Sequence, residues 1–107
     1  MLIPVYAKLH SRAKPNGATE EVLALCDRNL LGKVLKQGNA VLDLKAYAAF
    51  YEGAVVGEKE AIELIRGARN LNLVGEKSLK AAEKAIGVKA GSAKRIAGVP
   101  HLQVYCI

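Results

Sequence analysis

The apolar positions of this chain change their period along its length, and each change marks an element. Leu2 to Ala7 is a short apolar run containing Pro4. A proline offers no ladder donor, so the run predicts an edge strand. Val22 to Cys26 is continuously apolar between Glu21 and Asp27, the signature of an interior strand. Pro15-Asn16-Gly17 between them is a strong turn signal, so the two strands are expected to pair as a hairpin with a long tip carrying Arg12 and Lys14. Ala40 to Lys45 predicts a third strand, in which the consecutive Val41 and Leu42 imply partial cover on both faces. Asp27 to Gly38 is loop-like, with Leu30-Leu31-Gly32-Lys33 inside it, and Gly32 beside the two leucines predicts a bend of positive φ. Tyr47 to Gly53 carries aromatics but has no period that assigns it.

The second half reads differently. From Glu58 to Ala68, the residues Ala61, Ile62, Leu64, Ile65 and Ala68 gather on one side of a helix, and Lys59, Glu60, Glu63 and Arg66 on the other. Glu58 and Glu60 suit the positive end of its dipole. A second helix is predicted from Gly75 to Ile86, with Leu79, Ala82 and Ile86 as its buried stripe and Gly87 as its stop. Lys94 to Ala97 and Leu102 to Ile107 predict two short strands around Gly98-Val99-Pro100. The expected fold is α+β in a single domain, 1–107: a small mixed sheet of four or five strands with two helices packed on one face.

Charge adds a second pattern. The net charge is +6, and the stretch from Arg66 to Arg95 holds all of the excess. In the second helix Lys77, Lys80 and Lys84 fall within about 60° of one another, opposite the apolar stripe. A basic face favours acidic partners, although a solvated helix face has the same appearance. No apolar run approaches the ~18 residues that span a bilayer, and the N-terminus lacks the order of a signal peptide, so a cytoplasmic protein without membrane attachment is expected.

The parts for catalysis are few. Cys26, Asp27 and His101 are the only residues that could assemble a nucleophile, a base and an orienting group. Cys26 ends an apolar strand, where burial raises a thiol pKa and quiets it. His10, His101, Cys26 and Cys106 stand at no spacing that suits a metal, and no cofactor motif is present. The two cysteines read as buried thiols, with a bridge between them as the alternative.

Nucleic acid is better served. Gly75 would open a helix whose free N–H groups attract phosphate, so the Asn72 to Gly75 turn is a candidate backbone phosphate site. Lys77, Lys80, Lys84, Lys94 and Arg95 are candidate phosphate contacts. Leu73 to Lys77 half-resembles the hairpin of helix-hairpin-helix modules, with Leu73 in place of its first glycine. Phe50, Tyr51 and Tyr105 are the candidate stacking rings.

Four pieces of sequence, taken in order, carry a resemblance. They are Cys26-Asp27 with Leu30-Leu31-Gly32-Lys33, then Phe50-Tyr51 with Gly53, then Asn72 to Lys77, then Gly98-Val99-Pro100-His101 with Gln103. Together they resemble the archaeal domain-of-unknown-function family 424. The resemblance implies an archaeal, cytoplasmic setting and marks Cys26, Asp27, Gly32, Lys33, Phe50, Tyr51, His101 and Gln103 as motif positions without a role. The functional expectation is a non-catalytic module that binds RNA or a ribonucleoprotein. A protein-interaction or assembly domain, with a homodimer as one form of it, is the second reading, and a small enzyme using Cys26 or His101 the third.

Overall fold

The computed structural model describes residues 4–105, so the expectations for Leu2, Ile3, Cys106 and Ile107 lie outside the described residues. Strand β1 (Val5–Ala13) pairs antiparallel with β2 (Thr19–Asp27), from Val5 opposite Asp27 to Ala13 opposite Thr19. Both strands run further than their apolar cores suggested, so the connecting turn is only Lys14 to Ala18. Gly17 closes it at φ 86°, and Lys14 N–H donates to the Ala18 carbonyl at 2.7 Å.

β1 is not an edge. A short strand, β5 (Ala54–Val56), covers its outer side. Pro4 stands one residue before the ladder begins, where no donor is needed.

The predicted loop from Asp27 to Gly38 contains a 3-10 turn at Arg28–Leu30 and a strand, β3 (Val34–Gln37), paired with β4 (Ala40–Asp43). Only one face of this ribbon is covered: Leu42 is buried and Val41 exposed, against the expectation of cover on both. The unassigned aromatic segment is a single helical turn, α1 (Ala48–Tyr51). Helices α2 (Glu58–Arg66) and α3 (Glu76–Ile86) lie where their periods placed them. The residues expected to form a turn before α3 are instead a strand, β6 (Leu71–Val74). It runs parallel to β2, with Leu23 opposite Leu71 and Cys26 opposite Val74. With Leu73 buried in that strand, no helix-hairpin-helix geometry remains.

The chain ends in β7 (Lys94–Ile96) and β8 (Val99–Val104). Their turn is Ala97-Gly98, one position earlier than predicted. Ala97 and Gly98 have φ of 51° and 80°, the pair of positive values that a two-residue type I′ hairpin needs.

The result is α+β: a mixed six-stranded sheet in the order β5-β1-β2-β6-β8-β7, with β3-β4 as a separate two-stranded sheet and three α-helices. The expected four or five strands fall short because β3, β5 and β6 are three or four residues each, too short to show a period.

Alternation along the sheet sorts its side chains into two cores. Leu23, Leu25, Leu71, Leu73 and Leu102 face α2 and α3, packing on Ala61, Ile65, Leu79 and Ala82. Burial of each large aliphatic side chain contributes roughly 1.5–3 kcal/mol. On the other face Ala24, Cys26, Val74 and Ile96 pack under Leu30, Leu42, Leu44 and Tyr51. The expected pair of helices thus occupies one face, while α1 and the small ribbon cover part of the other.

Gly32 ties the ribbon to the turn above it. Its φ is 90°, as the bend required, and its N–H donates to the Leu44 carbonyl at 3.0 Å. A Cβ there would meet nothing within 4 Å, so the cost of a side chain is conformational alone. Gly32→Ala is expected to destabilise by about 1–2 kcal/mol in chemical denaturation. Gly91→Ala, at an open position without positive φ, should be neutral or slightly stabilising in the same measurement.

Candidate functional site

The start of α3 is filled by its own protein. Asp27, the last residue of β2, is buried, and its Oδ2 accepts from the N–H of Lys77 at 2.9 Å. Its Oδ1 accepts from both the N–H and the Oγ of Ser78 at 2.8 Å. Gly75 is the N-cap residue at φ 112° and has no side chain to do this. A Cβ on Gly75 would lie 2.2 Å from the Asp27 Cγ. The Gly75 N–H donates to the Pro100 carbonyl at 2.9 Å. Three of the donors that a phosphate would use, the N–H groups of Gly75, Lys77 and Ser78, are therefore occupied, and a phosphate at the site expected from Asn72 to Gly75 would have to displace their partners. A carboxylate from 50 residues away already answers the helix dipole.

The lysine face of α3 is also partly answered. Lys84 Nζ donates to Glu58 Oε1 at 2.7 Å across the α2–α3 contact. That hydrogen bond, with the charges of Lys80 and Lys77 nearby, holds the Glu58 carboxyl below its ordinary range. Arg95 pairs with Glu76 and donates to the Gly98 carbonyl at 3.1 Å. The five candidate cations do not form one surface. Lys77, Lys80 and Lys84 sit on α3, in the helical layer, whereas Lys94 stands on β7 directly beside His101 of β8.

What the sheet does bring together is a polar cluster on its second face. β6 and β8 place Asn72 opposite Gln103, and Val74 opposite His101. Toward Cys26 and Val74 this face is covered by the small ribbon. Toward Asn72 it stays open, and two adjoining depressions of about 360 and 320 Å³ meet there. Both are bordered by Phe50 and Asn72. One reaches under Tyr47 and Tyr51 to His101 and Gln103, the other past His10 toward Arg12 and Tyr105.

The hydrogen bonds of this groove are specific. Tyr51 Oη donates to Asn72 Oδ1 at 2.9 Å. His101 Nε2 lies 3.2 Å from the same oxygen. An amide oxygen only accepts, so the imidazole carries its proton on Nε2. His10 Nε2 reaches the Phe50 carbonyl at 2.7 Å by the same logic, and its ring stacks on Phe50 at a centroid distance of 4.3 Å. Phe50 in turn meets Tyr51 edge-on at 5.0 Å. Tyr105 Oη donates to Gln103 Oε1 at 3.2 Å.

Four motif residues without a role, Phe50, Tyr51, His101 and Gln103, thus line one groove together with Asn72. Asp27 and Gly75 build the neighbouring helix cap, while Gly32 and Lys33 bind the ribbon: Lys33 accepts from Leu44 N–H at 2.8 Å. A family model described as protein of unknown function (DUF424) matches residues 16–107. The chain belongs to this family. The DUF424 chain is also similar to a solved structure, an uncharacterized conserved protein from Methanopyrus kandleri, at 27% identity and a TM-score of 0.81, covering 97% of this chain and 92% of the other. No curated protein matches the chain.

In this DUF424 chain Cys26 is a buried, free thiol. Burial, with the Asp27 carboxylate beside it, pushes its pKa from 9.0 to about 12, and its Sγ leans on the Asp27 carbonyl at 3.4 Å. Val74 stands between Cys26 and His101 in the sheet register. The depression that holds His101 does not include Cys26, so the two are not a nucleophile and its base. Among the described residues no three metal-ligating side chains converge, and no helix is long and apolar enough to cross a membrane.

Sequence reasoning passed over His10, Tyr47 and Asp43 as groove residues. His10 had a visible signal: Lys8, His10 and Arg12 alternate with Ala7, Leu9 and Ser11, which continues the strand beyond its apolar part. Tyr47 and Asp43 had none, because their positions depend on how the ribbon folds back.

Two expectations follow. Asp27→Ala removes the acceptor of two backbone donors and one hydroxyl in a buried place, and should destabilise by about 2–3 kcal/mol in chemical denaturation. His101 is held below its ordinary value of 6.5 by burial, then by Lys94. The unfolded chain therefore takes up this proton first as pH falls. Stability is complete above the unfolded value and is lost as pH drops from there toward the folded one. An NMR titration should place the His101 midpoint below 6.5, and His101→Gln should lose less stability than the parent between about pH 7.5 and 5.5.

Proposed function

We propose that this protein is a non-catalytic RNA-binding module, and that it holds single-stranded nucleotides in the open groove of the sheet. The observation that carries this reading is the convergence of Asn72, His101 and Gln103 beside aromatic rings on an exposed sheet face. Unpaired bases are held by stacking on such rings and by hydrogen bonds to their edges, and both require an open surface rather than a closed pocket. Tyr47 and Tyr105 remain 66% and 62% exposed, and a half-buried Phe50 lies between the two depressions. Lys94 stands beside His101 at one end of the groove, where a backbone crossing it would present phosphates, and Arg12, paired with Glu20, borders the other. The net charge of +6 favours such a partner at longer range.

A protein partner, or a second copy of the chain, is the second reading. It is favoured by a depression of about 230 Å³ on another edge, lined by Leu9, Leu23, Leu64 and Ala68, with Leu9 and Leu64 exposed.

A short single-stranded RNA should bind with log affinity falling linearly in log salt, by about 0.7 per phosphate contact. Lys94→Gln should lower that slope by about 0.7, and Tyr47→Ala should weaken binding by about 1 kcal/mol or more at fixed salt. Binding that responds only to Lys77, Lys80 and Lys84 changed together to Gln would move the contact to α3. Absence of salt-dependent binding to any RNA, with a dimer in light scattering, would favour the second reading.

A further inference from the structure

Asn72 and Gln103 face each other across β6 and β8, and both have their carbonyl oxygens engaged. Asn72 Oδ1 accepts from Tyr51 Oη and His101 Nε2, and Gln103 Oε1 accepts from Tyr105 Oη. An amide is ordinarily ambivalent, a donor at one end and an acceptor at the other. Tying the oxygen fixes which end is offered. Neither Asn72 Nδ2 nor Gln103 Nε2 has a partner among the described residues, and both side chains line the same depression. Directly opposed residues of an antiparallel pair have Cβ atoms about 4.5–5.5 Å apart, so two amide donors are offered from adjoining positions to one depression, which Phe50 and Tyr47 also line.

From this pair, and resting on the RNA-binding reading, we infer that the groove selects a base edge carrying two adjacent acceptors. Guanine offers O6 and N7, and cytosine offers O2 and N3. Adenine sets a donor beside its N7, and uracil sets its N3–H between two carbonyls; each can satisfy only one of the two amides without conflict. A single free amide would bind adenine through both its ends, but that mode is closed here because the oxygens are taken. Tyr51, His101 and Tyr105 are positioning residues in this scheme, since they act through the amides they orient.

The test uses the whole chain and fluorescent hexamers of uridine carrying guanosine, cytidine or adenosine at the two central positions, at one salt concentration. The guanosine or cytidine hexamer should bind about tenfold more tightly than the adenosine one. Replacing guanosine by 7-deazaguanosine, which lacks N7, distinguishes the two sources: it removes a guanine preference and leaves a cytosine preference unchanged. Gln103→Glu converts a donor to an acceptor at an exposed position and should abolish the discrimination while the salt dependence persists. Equal binding of all hexamers with a normal salt slope overturns the edge selection and leaves the RNA reading standing. A preference for adenosine, or one that survives Gln103→Glu, overturns it as well. No binding of any hexamer removes both readings together.

Discussion

Asp27 at the start of α3 is the contact on which the rest of the arrangement depends. A buried carboxylate is tolerated only when its lone pairs are met, and here two backbone N–H groups and a hydroxyl meet them. In return two of the free donors at the helix start are satisfied without any capping side chain of its own. The contact joins the end of β2 to the turn after β6, strands that run side by side in parallel. It also dictates the residue at position 75: only glycine accepts φ 112° and leaves room for the carboxylate. Because Gly75 N–H also holds Pro100 of β8, three neighbouring strands and a helix are set by one side chain.

This device explains what could be read from the chain and what could not. Helices α2 and α3 were legible because their apolar stripes repeat at helical spacing over nine and eleven residues. The interior place of β2 was legible from its unbroken apolar run. β6 was not: Leu71–Val74 has four residues, too few to show a period ahead of the helix start that follows. That helix start also suggested the phosphate site, since a glycine before a helix has one appearance whether its donors face solvent or a distant aspartate. Nothing local in the sequence connects Asp27 with Ser78. The ordered motif pieces did hold that information, but without a map of which piece meets which.

The groove was half legible for a related reason. Asn72, Phe50, Tyr51, His101 and Gln103 all stood out in the sequence, yet Asn72 was assigned to phosphate, Phe50 and Tyr51 to stacking, His101 to a catalytic pairing with Cys26, and Gln103 to no role. Their common location follows from strand parity. Leu71, Leu73 and Leu102 must face the helices, so Asn72, His101 and Gln103 must face away. Only half of that second face finds apolar cover, from the ribbon and α1. The sheet is wider than its second layer, and polar side chains occupy the uncovered part, where their hydrogen-bonding groups remain accessible.

The placement of charge relative to this surface is informative under the proposed role. Most cations of the basic stretch lie on or near the helical layer, and several are paired: Lys84 with Glu58, Arg66 with Glu63 and Arg95 with Glu76. Exposed pairs of this kind contribute little to stability, and they reduce what any one cation offers to a phosphate. The outer face of α3 is separated from the groove by the helix, about 10 Å across, and by the sheet beneath it. That exceeds the roughly 8 Å over which charges are felt at physiological salt. The excess charge therefore acts on encounter, and the neutral amides, imidazole and rings act on what is held. Under that role a surface built this way would depend on salt mainly through Lys94, since Arg12 at the other end is itself paired with Glu20, while its selectivity would reside in uncharged groups that salt does not screen.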